Sequence, residues 1–296
     1  MALGTFILLA TLFYLLDPFS RSLPKSLPSL NLEMTSSELA QRLRQADSLY
    51  DKVLSSRKEL IKKFGPNPSG VAMFPPNEYP WPAYTVCDLG DGGKWVCGLS
   101  RVEDTEDCVV YSVGINGQSS FEAELLVNTK HCHIWGYDFS VKSFGPEITR
   151  RIRHRTHFFA YGLAGNDGVT TSKGKEFPMY TLESLMRMNG HTHIDILKVD
   201  IESWEFETFA TLIKSYMDKG KALPFGQLQL EIHLWDKDFP QFLEWWEMLE
   251  EAGLRPFMTE PNLVYANYNR GGSAQLAEYS FINVRSDNIF VKNIAR

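Results

Sequence analysis

Positive charge is in short supply. Thirty Lys and Arg residues stand against 36 Asp and Glu over 296 positions, a formal net charge of −6, which disfavours a protein that grips nucleic acid through its bulk charge. Cysteine is scarce too. The four present, Cys87, Cys97, Cys108 and Cys132, include no paired C-x-x-C spacing, so zinc knuckles are set aside. The one long apolar run is at the start, where Ala2 to Leu16 (ALGTFILLATLFYLL) carries no charge and ends at Asp17 and Pro18. It is marginal for a spanning helix, which needs roughly 17 to 25 residues, and long for a signal-peptide core. Residues 1–17 read as a signal peptide or signal anchor, which implies the secretory pathway: ER or Golgi membrane, or secretion. No Ala-x-Ala cleavage site is clear. Lys and Arg are missing ahead of the run, whereas Arg21 and Lys25 follow it, which argues against a lumenal carboxyl side.

What is there suffices for one large core, with 44% hydrophobic and 13% aromatic residues. Residues 18–34, rich in Ser, Pro and Leu, read as a linker. Thr35 with Glu38 makes a capping box. From there Leu39, Leu43, Ala46, Tyr50, Val53, Leu60 and Phe64 recur at three- and four-residue steps, predicting an amphipathic helix over 35–64. Such a helix is either a stem holding a domain off a membrane or one packed on that domain. Residues 65–82 form a Pro-rich linker, and a single domain is placed over 83–296. Cys87 and Cys97 flank the turn-rich DLGDGGKWV, where a hairpin acting as lid or edge would bring them together as a disulfide. Cys108 and Cys132 begin predicted buried strands and read as free thiols serving as small hydrophobes.

The domain is organised around VVYSVGING, Val109 to Gly117. Its apolar run reads as a buried parallel strand. Gly114 and Gly117 then allow backbone to approach a ligand with no Cβ in the way, and Ser119 or Ser120 can cap the helix that follows. Strand, glycine loop and helix make the usual nucleotide cradle of a doubly wound α/β domain. A second strand, His133 to Phe139, ends in Asp138, about twenty residues past the glycines, where an acid can accept both ribose hydroxyls; capping the next helix is its bland alternative. The basic run Arg150, Arg151, Arg153, His154, Arg155 reads as a solvated helix end rather than a nucleic-acid patch. Thr156 to Leu163 is a third strand, followed by the loop AGNDG, a polar loop and a helix from Thr181 to Met188. His193 to Val199 and Gln227 to Ile232 continue the alternation, and Leu254 to Met258 and Tyr279 to Val284 close it as a pair. The pattern predicts a doubly wound, mostly parallel sheet, with its polar ends at the carboxyl edge.

The order of glycine loop, second-strand acid, ILKVDIESWEFE and QLQLEIHLW resembles the class I S-adenosylmethionine-dependent methyltransferases, a Rossmann-like family. Lys198, Asp200, Glu202 and Glu205 match the K-x-D-x-E-G-x-E hallmark of the FkbM-type branch, with Ser203 in place of Gly. Within that branch GDGGKWVC, YSVGING, FAYGL and KVDIESWEFE resemble the animal methyltransferase-like protein 24 group. The resemblance implies S-adenosyl-L-methionine as cofactor. It assigns Gly114, Asn116 and Gly117 to the amino-acid portion of that cofactor, Asp138 to the ribose, Leu163 and Ala164 to the adenine, and Asp200 to the pocket edge. Asp200 and Glu202 could orient the substrate, accept its proton or hold a divalent cation, or Glu202 could simply cap the next helix. His233 is the candidate general base, because it ends the fifth strand and titrates near neutrality. Many class I enzymes carry an acid at the end of the first strand; Tyr111-Ser112-Val113 does not, and Asp91 or Lys94 are the possible substitutes. Nothing like N-P-P-Y follows the fourth strand, which disfavours nitrogen as the acceptor. The implied reaction is O-methylation of a hydroxyl on a glycan or small molecule. RNA or protein methylation, and a membrane-tethered binding module that has lost turnover, are the alternatives.

Overall fold

A computed structural model describes residues 36–64, 84–86, 93–235, 237–262 and 275–292. The apolar amino-terminal run, both linkers, Thr35, Cys87 and Asp91 lie outside them. Among the described residues no helix is long and apolar enough to cross a membrane.

The first helix, α1 (Ser36–Phe64), has the predicted span. It is packed on the domain: Ala46 and Tyr50 are buried, Arg57 pairs with Glu250 at 2.8 Å, and the Arg255 guanidinium lies over the Tyr50 ring. A short hairpin follows, β1 (Tyr84–Val86) and β2 (Trp95–Cys97). The main sheet is built from β3 (Val109–Val113), β4 (His133–Tyr137), β5 (Thr156–Phe159), β9 (Ile194–Val199), β10 (Phe225–His233), β11 (Leu254–Pro261) and β12 (Leu276–Asn283). Their order across the sheet is β11-β12-β10-β9-β3-β4-β5, parallel except for the antiparallel β12. The predicted doubly wound α/β fold is therefore present. Strand order reverses between β3 and β9, and ligands bind beside such a switch point, at the carboxyl ends.

Each central strand is apolar on both faces because both are covered. Leu197 and Val199 pack with α3 (Leu182–Asn189), α4 (Glu205–Asp218) and α5 (Phe239–Glu251), while Ile196 points the other way, into a cluster with α2 (Ser120–Asn128). Alternation in β10 has a different cause. Gln227, Gln229, Glu231 and His233 fall on one face, yet all four are buried. The hairpin covers them: Gln227 exchanges two hydrogen bonds with the Cys97 backbone, and Gln229 donates to the Trp95 carbonyl.

Three expectations are corrected. Cys108 and Cys132 are a disulfide, not two thiols, with Cα atoms 4.4 Å apart. They immediately precede β3 and β4, whose register pairs Val109 with His133, so the two sulfurs start the same rung. Cys97 is buried in β2, where the hairpin register sets Tyr84 opposite it; the expected pairing with Cys87 lies outside the described residues. The strand predicted over 156–163 is broken: β5 stops at Phe159, and β6 (Gly162–Leu163) pairs with β8 (Lys175–Tyr180) instead. What reads as a polar loop is a hairpin of β7 (Gly168–Ser172) with β8. Lys173 and Gly174 turn it with φ of 49° and 72°, the paired left-handed turn that suits strand twist.

Candidate active site

The glycine loop leaves β3 at Gly114, whose φ is +80°. A Cβ there would lie 1.8 Å from the Asp200 carbonyl oxygen, so only glycine lets the ends of β3 and β9 come this close. Asp138, at the end of β4, holds the loop. One carboxylate oxygen accepts from the Ile115 and Asn116 amides at 2.8 and 2.7 Å, and the other accepts from the Ser140 amide and hydroxyl at 2.6 and 2.7 Å. Its role within the chain is thus to fix the loop. Ser119 stands at the start of α2 but makes no side-chain cap; its hydroxyl accepts from the Gly145 amide at 2.9 Å instead. The first strand, which lacks an acid, reaches one from α2: the buried Ser112 hydroxyl donates to Glu122.

Two neighbouring cavities open at this edge and share Gly114, Asn116, Asp200 and Glu202. One, of about 270 Å³, is lined by Tyr137, Asp138, Leu163, Met179 and Trp204. The other, of about 330 Å³, is lined by Lys94, Glu122, Glu231, His233 and Trp235. Gly114, Asn116, Asp138, Leu163, Asp200, Glu202 and His233 are therefore brought together. Two expected contacts are not. The Ala164 amide is spent on the Tyr180 carbonyl at 3.0 Å, and neither Ala164 nor Gly117 lines either of these two cavities. Gly117, at φ +74°, serves the turn.

His233 is almost wholly buried at the end of β10. Glu205, the first residue of α4 and itself fully buried, accepts from both the His233 amide and Nδ1, at 2.7 and 2.8 Å. Nε2 then faces Asp200 Oδ1 and Glu202 Oε2, each 3.7 Å away. Burial works against a proton on this imidazole, but the Glu205 hydrogen bond and the surrounding carboxylates outweigh it and raise its proton affinity above the ordinary value. Glu231 lies two residues back on the same face. Burial, then the charges of Glu278 and Asp200, push its carboxyl up to about 9. Lys94 offsets part of this. Burial acts against its charge, but Glu278 and Glu231 more than compensate, and its ammonium pairs with Glu278 at 2.5 Å. Lys94 is thus committed to Glu278, not to a cofactor carboxylate.

Sequence reasoning missed Glu231 and Glu278, and it gave Glu205 no role although the residue stands in the quoted hallmark. Glu231 and Glu278 face each other across the antiparallel β10 and β12, a register no local pattern states. The loop over His233 carries a further signal. Glu202 and Ser203 both have left-handed backbones, φ 55° and 76°, and Ser203 donates to the His233 carbonyl at 3.3 Å. The glycine usual at this position is what that conformation favours. The basic run behaves otherwise than a surface patch at Arg155, whose guanidinium is buried on the Leu126, Thr129 and Cys132 carbonyls at the end of α2.

Residues 74–281 match the profile of a family described as a methyltransferase domain. The chain belongs to that methyltransferase family. A curated relative, the probable methyltransferase-like protein 24 of Rattus norvegicus, is 28% identical over 137 residues; the match covers 46% of this chain and 36% of that protein. The chain thus spans about a third of the relative's length. Among solved structures, the precorrin-6y C5,15-methyltransferase of Geobacter metallireducens is 11% identical, with a TM-score of 0.29 over 62% of this chain and 83% of that one. An O-methyltransferase family 2 protein of Planctomyces limnophilus, crystallised with apigenin, is 13% identical, with a TM-score of 0.30 over 83% and 65%. At those scores neither adds to the assignment, which rests on the family and on the strand order above.

Proposed function

We propose that the chain is an S-adenosylmethionine-dependent O-methyltransferase acting on a hydroxyl of a glycan or small molecule in the secretory pathway. The observation that carries the reading is the junction at Gly114 and Asp200. A cavity of about 270 Å³ walled by Asp138, Leu163 and Met179 would take the nucleoside, and it shares Gly114, Asn116, Asp200 and Glu202 with a second cavity lined by His233 and acids. When bound, S-adenosylmethionine supplies a sulfonium methyl: the acceptor oxygen–carbon bond forms as the sulfur–carbon bond breaks, a neutral thioether is left, and the hydroxyl proton departs. This chain's part is to hold both partners in line, which supplies much of the rate in such a displacement, and to receive that proton at the Asp200, Glu202 and His233 cluster. A ribose would take the two Asp138 lone pairs now filled by Ser140. Trp204 and Trp235, each 40% exposed, stand on the two cavities and offer flat apolar faces to a sugar ring. The Cys108–Cys132 disulfide favours an oxidising compartment, and residues 1–17, if retained, would supply a membrane anchor.

Calorimetric titration of the full chain with S-adenosylhomocysteine tests the cofactor site. Binding is expected, with Gly114→Ala and Asp138→Ala each weakening it at least about tenfold, a loss of about 1.4 kcal/mol or more. A folded chain that binds nothing would leave only a tethered module with a methyltransferase fold.

A further inference from the structure

The second cavity holds more carboxyl groups than methyl transfer requires. Asp200, Glu202 and Glu231 line it with His233, Lys94 and Lys198, while Glu205 stands behind His233 and Glu278 beside Lys94. Lys198 is held by the Gly114 carbonyl, and Lys94 by Glu278. Asp200, Glu231 and His233 each present one donor atom, and the three atoms lie within 4.8 Å of one another. Donors around a cation with bonds of about 2.0 to 2.6 Å stand at most about 4 to 5 Å apart. The three are therefore already spaced as a ligand set.

A second observation, independent of the charge, comes from the imidazole. His233 is 2% exposed, and its Nε2 makes no hydrogen bond among the described residues; it looks into the cavity with its nearest carboxylate oxygens at 3.7 Å. That is too long for a hydrogen bond, yet it is a normal separation for two atoms bound to one ion. Behind it, Glu205 takes the Nδ1 proton at 2.8 Å. A carboxylate on the far ring nitrogen fixes the tautomer and aims the other lone pair, the usual support of a metal-bound histidine. Glu231 is steadied in the same way, with Oε1 accepting from the Asn262 amide at 2.9 Å.

We propose that Asp200, Glu231 and His233 form a divalent-cation site. Two carboxylates and one imidazole, with the remaining positions open to the cavity, suit an ion of the Mn²⁺ kind, since carboxylates favour Mn²⁺, Mg²⁺ and Ca²⁺ while imidazole favours the transition ions. The placement beside Gly114 and Glu202 gives such an ion the work of drawing an acceptor hydroxyl into the site and easing loss of its proton. His233 is then a ligand and not the base. Its purpose rests on the methyl-transfer reading, but the binding of the ion does not.

The test uses chelator-stripped full-length protein and Mn²⁺ alone, followed by calorimetry and by the paramagnetic resonance signal of the free ion. One Mn²⁺ per chain is expected. Glu231→Gln and His233→Gln should each weaken binding at least tenfold while leaving the S-adenosylhomocysteine affinity unchanged, because neither residue lines the nucleoside cavity. An upward shift in melting temperature on adding Mn²⁺, lost in Glu231→Gln, is the companion readout. Stripped protein that binds S-adenosylhomocysteine but no Mn²⁺, or binds Mn²⁺ equally well in both variants, overturns the site and leaves the methyltransferase reading standing. Protein that binds Mn²⁺ as described but no S-adenosylhomocysteine keeps the site and removes its assigned purpose.

Discussion

Four of the seven histidines fall in two regions of the domain and behave in opposite ways. At the end of β10, His233 is ringed by carboxylates and its proton affinity is raised. On β4, β5 and the turn after α3, His133, His157 and His191 sit among aromatic rings and their proton affinity is lowered, chiefly by burial. His133 stacks on His157 at 5.5 Å, and Trp135 packs against His157 and His191 at 4.7 and 4.3 Å. The Tyr111 hydroxyl bonds His191 Nδ1 at 2.7 Å. One side chain type thus does two jobs, and the neighbours decide which. At His233 the hydrogen-bonded acid outweighs burial and holds the imidazole ready for a charged partner; among the rings, and at His193 with Asp195 3.9 Å away, burial wins.

The largest expected effect comes from removing the acid that makes the difference. Glu205→Ala strips the partner from two His233 donors in a buried setting and should cost about 3 kcal/mol in urea denaturation. Glu205→Gln keeps the shape and should cost less. It should also move the His233 titration, followed by NMR in metal-free protein, downward toward the behaviour of His133, His157 and His191. A Glu205→Ala cost under about 1 kcal/mol, with the His233 titration unmoved in Glu205→Gln, would mean that Glu205 is not what separates the two regions.

A smaller effect is expected from pH. Because His133, His157 and His191 bind protons less readily when folded, the unfolded chain takes up protons that the folded chain refuses once the pH falls below about 6.5, the ordinary histidine value. Their contribution to stability is therefore lost as pH drops through that value. His233 has the reverse sign: its contribution is present below about 6.5 and is lost as pH rises through its raised folded value. Denaturation midpoints across pH 5 to 8 should show both limbs. Glu231, its carboxyl pushed up to about 9, adds to the alkaline limb, so His157→Phe should flatten part of the acid limb and Glu205→Gln part of the alkaline one; a variant that flattens the wrong limb breaks the assignment.

How much of this was legible in the chain follows the same division. The strand–glycine–helix unit, Asp138 and the KVDIESWE run are local patterns, and the fold places them as read. The hairpin over 168–180 was missed because its strands are half-exposed and polar, so no apolar alternation marks them; the Lys173–Gly174 turn was the only signal. The disulfide needed a register: a separation of 24 residues matters only once β3 and β4 are known to pair with the same offset. The acid cluster needed two registers, β10 against β12 and the hairpin across β10. The polar alternation of QLQLEIH looks like a solvent face, but it is a buried stripe under Lys94 to Cys97.

The smallest effect concerns strain, which the two histidine regions also do not share. Among the described residues the non-glycine left-handed backbones are Asn116, Lys173, Glu202 and Ser203. Two of them form the loop over His233, and none belongs to the aromatic group. A left-handed conformation costs an L-residue roughly 1 to 2 kcal/mol, of which glycine's greater freedom when unfolded returns about 0.5 to 1. Ser203→Gly should therefore stabilise the protein by about 0.5 to 1 kcal/mol, less whatever the long 3.3 Å bond to the His233 carbonyl contributes. For a domain of this size that is a rise of about 1 to 4 °C in melting temperature. Ser203→Ala, which keeps the strain and loses the hydroxyl, separates the two contributions. If Ser203→Gly lowers the melting temperature by as much as Ser203→Ala does, the hydroxyl's hold on the end of β10 outweighs the backbone cost, and serine is there to keep His233 in place.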